Sequence, residues 1–115
     1  MDELVKLRER VRQSAGPDHE LAVDISNALE IASYVDDSED FTSSIDAALA
    51  LCERALPYMW LEIKFAGEDG PKRWPVVEHG YRGSEWRSQA ATAPLAIILA
   101  VLTALLEKEA ANEAE

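Results

Sequence analysis

Tyr58-Met59-Trp60-Leu61-Glu62-Ile63-Lys64-Phe65 decides the fold. In an extended chain successive side chains point to opposite sides, so Met59, Leu61, Ile63 and Phe65 share one apolar face. Tyr58, Trp60, Glu62 and Lys64 share the other. Just upstream the spacing is helical: Ile45, Ala48, Leu49, Cys52, Ala55 and Leu56 fall on one side of a helix that Pro57 ends. The change of period at Pro57 separates a helical first half from a sheet-forming middle.

Downstream, Gly67-Glu68-Asp69-Gly70-Pro71 has turn chemistry and leads to a second strand from Arg73 to Glu78. Pro75 has no N–H to give to a ladder, which predicts an edge strand or a bulge there. Gly80 to Gly83 reads as the next turn, with His79 at its start, and Ser84 to Gln89 as a third strand. Thr92 can cap a final helix that carries Pro94 in its first turn. Its apolar positions Leu95, Ile98, Leu99, Leu102, Leu105 and Leu106 are widened by Ile97 and Val101. A helix apolar around most of its girth is expected either at the centre of the core or against another copy of the chain. Residues 107–115, where charge returns, read as a frayed acidic tail.

Upstream, Leu4, Leu7 and Val11 give a thin stripe to a helix over 2–14, which Gly16 and Pro17 stop. Leu21, Ile25, Ala28, Leu29 and Ala32 make a broader stripe over 17–33, followed by a polar loop to Phe41. The third helix opens at Thr42-Ser43-Ser44, and Ser43 with Asp46 three residues on reads as a variant capping box. The expected order is α-α-α-β-β-β-α. Short links between strands imply an antiparallel meander, giving an α+β protein with a three-stranded sheet packed with helices in an α/β/α sandwich. The 115 residues are expected to form one domain, 1–115, with its core over 16–106.

Several of these blocks resemble the phage ABA sandwich domain family, small proteins encoded by phages and prophages. They are Gly16-Pro17-Asp18-His19-Glu20-Leu21, Phe41-Thr42-Ser43-Ser44-Ile45-Asp46-Ala47-Ala48-Leu49-Ala50-Leu51, Trp60, Trp74 and Ala90-Ala91-Thr92-Ala93-Pro94-Leu95-Ala96. The likeness spans roughly 16–106 and implies a sandwich fold and a phage setting inside a bacterial cell. It implies no catalytic residue. Met59 departs from the glycine the family often has before its first strand tryptophan.

Acidic residues number 22 and Lys plus Arg 11, a formal net charge of -11. The excess is concentrated between Asp18 and Glu62, where Arg54 is the one basic residue. Such a field repels polyphosphate, so nucleic acid is disfavoured as a partner. One cysteine, Cys52, excludes an internal disulfide and a multi-thiolate metal site. Cytoplasmic placement is expected, because Met1-Asp2-Glu3 opens an amphipathic segment rather than a leader. The Ala93–Leu106 run also falls short of the roughly 20 residues that cross a bilayer.

Catalytic candidates are sparse. His19 and His79 both read as surface histidines, Cys52 as a core thiol, and no nucleophile elbow is present. The Gly residues match neither a P-loop nor a dinucleotide fingerprint, and no cofactor is implied. Asp36, Asp37, Glu39 and Asp40 could supply oxygen ligands, but without EF-hand spacing they read as a solvated loop. The feature most suggestive of binding is aromatic. Tyr58, Trp60, Trp74 and Trp86, with Arg73 and Arg87, form a candidate partner-binding surface in the least acidic part of the chain. The favoured reading of tryptophan in these strands is nevertheless core packing beneath a covering helix, because a three-layer sandwich covers both sheet faces. The expectation is a non-catalytic protein-interaction module with a protein partner, or a second copy through the Leu95–Leu106 helix. The alternative is a nucleic-acid-related role, with a single strand on the aromatic sheet or an acidic surface imitating DNA. A metal-dependent hydrolase built on Asp36–Asp40 ranks last.

Overall fold

The computed structural model describes residues 2–29, 42–66, 74–81 and 83–113. Four helices and three strands follow one another: α1 (Asp2–Gln13), α2 (His19–Ala28), α3 (Ile45–Ala55), β1 (Trp60–Ala66), β2 (Trp74–Tyr81), β3 (Ser84–Gln89) and α4 (Ala93–Glu113). The strands form an antiparallel sheet in the order β1-β2-β3. This is the expected α+β class and element order. Asp36–Asp40, Gly67–Pro71 and Arg73 lie outside the described residues.

α4 organises the core. From Leu95 to Leu102 every residue is buried. α1 and α3 pack on this helix, and β2 and β3 meet it from the sheet. Among the described residues the layers therefore run sheet, α4, then α1 and α3, with α4 on one sheet face, where the expected α/β/α sandwich has helices on both. The apolar girth of Leu95–Leu106 is covered within one chain, which removes the reason to seek a second copy there. Leu4, Leu7 and Val11 of α1 are buried in the same cluster, so the core begins well before residue 16. The thin stripe is enough because α1 needs to cover only one side of α4. The helix also continues to Glu113 instead of ending near 107.

Local chemistry sets the ends. Asp18 caps α2, its carboxylate accepting from Leu21 N–H at 3.0 Å, so Pro17 lies before the helix rather than within it. The buried Thr42 hydroxyl accepts from Asp18 N–H at 2.8 Å and ties that end of α2 to the approach to α3. Ser44, not Ser43, caps α3: its Oγ accepts from Ala47 N–H at 3.2 Å. At α4, Thr92 Oγ1 accepts from Leu95 N–H. Arg10 of α1 reaches Asp24 of α2 at 2.7 Å; both side chains are about 40% exposed, and exposed pairs of this kind contribute under about 1 kcal/mol.

Two expectations about the sheet are corrected. β2, which contains Pro75, is the central strand and not an edge. Pro75 is tolerated because it pairs with Phe65 of β1 while the β2–β3 ladder starts only at Val76↔Gln89. At that position the strand has one neighbour, which is what a residue without an N–H requires. The turn after β2 is also shorter than Gly80–Gly83 suggests. Tyr81 pairs with Ser84, and Gly83 has φ of 84°, a backbone state that glycine adopts without penalty.

The capping assignment is directly testable. Ser44→Ala should lower unfolding free energy by about 1 kcal/mol in urea melts. A Ser44→Ala protein with an unchanged urea midpoint would refute the assignment.

Candidate interaction surface

Antiparallel register sorts the strand side chains into two faces. Val77 belongs to the main core cluster, and Leu61, Ile63 and Trp86 pack against it. This inner face also carries His79, opposite Leu61 on one side and Trp86 on the other, and Ser88 opposite Val77. The outer face is a grid of three rows. Trp60, Gly80 and Glu85 form the first; Glu62, Glu78 and Arg87 the second; Lys64, Val76 and Gln89 the third.

Trp60 is the main feature of the outer face. It is 48% exposed, and its indole lies against Gly80. A Cβ at position 80 would stand 2.4 Å from Trp60 Nε1, so only glycine leaves room for the ring. Tyr58, just before β1, is 86% exposed. Trp86 starts from the inner face and is half-buried, yet it borders the same shallow hollow as Trp60, Glu78, Glu85 and Arg87, a space of about 360 Å³. Of the expected surface, Trp60, Trp86 and Arg87 are thus brought together, with Tyr58 near the start of the strand. Trp74 sits opposite Ala66 at the far end of the β1–β2 ladder.

The charges of this face are mixed. Lys64 Nζ is 3.2 Å from Glu78 and 3.9 Å from Glu62. Three carboxylates (Glu62, Glu78, Glu85) stand among two cations (Lys64, Arg87), so the sheet is less basic than its flanking sequence suggests. Phosphate gains little here.

His79 overturns its surface assignment. It is fully buried, its Nε2 lies 2.9 Å from Ser88 Oγ in a buried hydrogen bond, and its ring stands 5.5 Å from that of Trp86. Nδ1 is buried without a partner among the described residues. Burial disfavours the imidazolium and pulls the pKa down from 6.5 to about 4. The missed signal was Gly80: read as a turn it released His79 to solvent, whereas it is a strand glycine under an indole. His19 is exposed as expected. Cys52 is buried as expected, and desolvation, with Glu53 nearby, pushes its thiol up to about 11. The thiolate form is therefore disfavoured at neutral pH. Among the described residues no cluster of three or more His, Cys, Asp or Glu is arranged to hold a metal ion, and no helix is long and apolar enough to cross a membrane.

Comparison with protein-family models, with curated proteins and with solved structures finds no match. The surface is therefore read from its own chemistry.

A buried neutral histidine makes stability pH-dependent. Its folded pKa lies below its unfolded value, so the unfolded chain binds the extra proton between pH 6.5 and 4. Stability present above pH 6.5 is lost as pH falls through this window, by about 3 kcal/mol at its lower end. Urea midpoints at pH 7 and pH 5 should diverge for the wild type, and the divergence should shrink in His79→Gln, which can still bond Ser88. Equal pH dependence in both proteins would refute the neutral buried imidazole.

Proposed function

We propose that this chain is a non-catalytic protein-interaction module whose contact surface is the outer face of the sheet around Trp60. The observation that carries the reading is a half-exposed tryptophan, seated on a glycine made to receive it and bordering one hollow with Trp86 and Arg87. Trp, Tyr and Arg are enriched among the residues that dominate protein contacts, Trp and Tyr because they bury large area with little loss of rotamer freedom. A tryptophan kept only for the core would lie on the inner face of β1, with Leu61 and Ile63.

The titratable groups best suited to catalysis support the same reading. The His79 imidazole and the Cys52 thiol are both enclosed, and burial holds each in its neutral form. The carboxylates around Trp60 weigh against a single nucleic-acid strand, since stacking on such a platform relies on a basic groove to hold the backbone. A partner with both an apolar anchor and basic side chains suits a hollow lined by Glu78 and Glu85. The likeness to the phage ABA sandwich domain family supports a phage or prophage origin, with the partner met inside the bacterial host cell.

Immobilised wild-type protein and Trp60→Ala, both shown to be folded by circular dichroism, would be exposed to extracts of phage-infected bacteria. Proteins retained by the wild type should be bound at least about tenfold more weakly by the variant. Undiminished retention by Trp60→Ala, or a salt-sensitive retarded band with a single-stranded oligonucleotide, would overturn the proposal.

A further inference from the structure

β1 is an edge strand: β2 pairs with one side, and no strand pairs with the other among the described residues. Proteins usually blunt such an edge with a proline, a bulge, a very short strand, an inward-pointing charge or outward charges, Lys above all. The described β1 has no proline, bulge or inward-pointing charge, and its outward charges, Glu62 and Lys64, are one of each sign. Its ladder is continuous from Trp60 to Ala66, and its inner positions start with Leu61 and Ile63. Those two side chains are only half-buried. The reason is the placement of α4, which meets β2 and β3 and is set back from β1.

The charges of the strand have a symmetry of their own. Glu62 and Lys64 flank Ile63 on the outer face. Within the chain Glu62 stands directly opposite Glu78, a like-charge pair, and Lys64 serves both, closer to Glu78 at 3.2 Å than to Glu62 at 3.9 Å. Among the described residues Glu62 therefore has the poorer share of Lys64.

We infer that β1 pairs antiparallel with β1 of a second copy of this chain, about a two-fold axis through Ile63, joining two sheets into one of six strands. In that register Glu62 of each copy faces Lys64 of the other, and Leu61 faces position 65. Ile63 meets Ile63. The residue numbers of each facing pair add to an even total, so the inner faces of both copies stay on the same side and the half-buried apolar row continues across the axis. The interface is isologous and closes as a dimer. Directly opposed Cβ atoms in such a ladder lie about 4.5–5.5 Å apart, well within reach of a Glu–Lys pair. The unpaired N–H and C=O groups of each edge gain partners at the same time. β3 has a similar charge triple in Glu85, Trp86 and Arg87, but its inner neighbours are Ser84 and Ser88, and Ser88 is already bonded to His79. β1 is the edge with apolar surface left to cover. This dimer is independent of the Trp60 reading.

Sedimentation equilibrium on the full chain tests it through charge reversal. Wild-type protein should show a concentration-dependent dimer. Glu62→Lys and Lys64→Glu each set like charges opposite one another and should weaken it about tenfold or more. An equimolar mixture of the two variants should form a heterodimer, and the double variant Glu62→Lys/Lys64→Glu should dimerise with itself again. Glu62→Lys also replaces the intrachain Glu62–Glu78 juxtaposition with an attractive pair, so its folding is protected if Lys64→Glu proves unstable. Three results would each overturn the inference. They are a wild type that stays monomeric to millimolar concentration, a dimer indifferent to both reversals, or a double variant that is folded yet monomeric.

Discussion

Everything in this structure follows from having to cover one helix on all sides. Leu95 to Leu102 contains no polar side chain, so α4 has no face it can leave in water. Burying apolar surface is favourable by roughly 25 cal/mol per Å², and a helix with no polar stripe collects that gain only at the middle of the molecule. A three-stranded sheet covers one side. α1 and α3 are drawn to another, and even the sparse stripe of Leu4, Leu7 and Val11 is used in full.

The sheet then has two different tasks. Its inner face is committed to α4 and is dry enough to hold His79 uncharged. Its outer face is free to be chemically mixed, with an indole, carboxylates and cations in a regular grid. Gly80 connects the two. It sits in the central strand next to His79, and its missing side chain lets Trp60 lie against the backbone rather than stand away from it. The ring is held in place while about half its surface stays available, a pre-organised geometry that lowers the entropy lost when something docks on it.

The broad plan was legible in the sequence because hydrophobic period is a strong signal. The switch at Pro57 separated helices from strands, and alternation along Trp60–Lys64 sorted inside from outside correctly. Misreadings arose where one residue type serves two purposes. Proline can mark an edge strand or a place where a central strand has lost one neighbour, and only the stagger of β3 against β1 separates these for Pro75. Glycine can make a turn or make room, and at Gly80 the deciding object, Trp60, lies far back in sequence. Ser43 and Ser44 offer the same cap chemistry one residue apart, and backbone geometry chose between them. The candidate surface was visible as a set of residue types. That Trp60 and Trp86 begin on opposite faces needed the register.

The position of α4 along the chain also constrains how the protein is born. α1, α2, α3 and the sheet all leave the ribosome before the helix they lean on has been made. Until residues 95–106 emerge, Leu7, Val11, Leu21, Leu51 and Val77 have no permanent partner at the centre, and long-range closure must wait for the last element. The dense run of carboxylates from Asp18 to Glu62 precedes it in the chain, and like charge of that density favours repulsion between neighbouring chains.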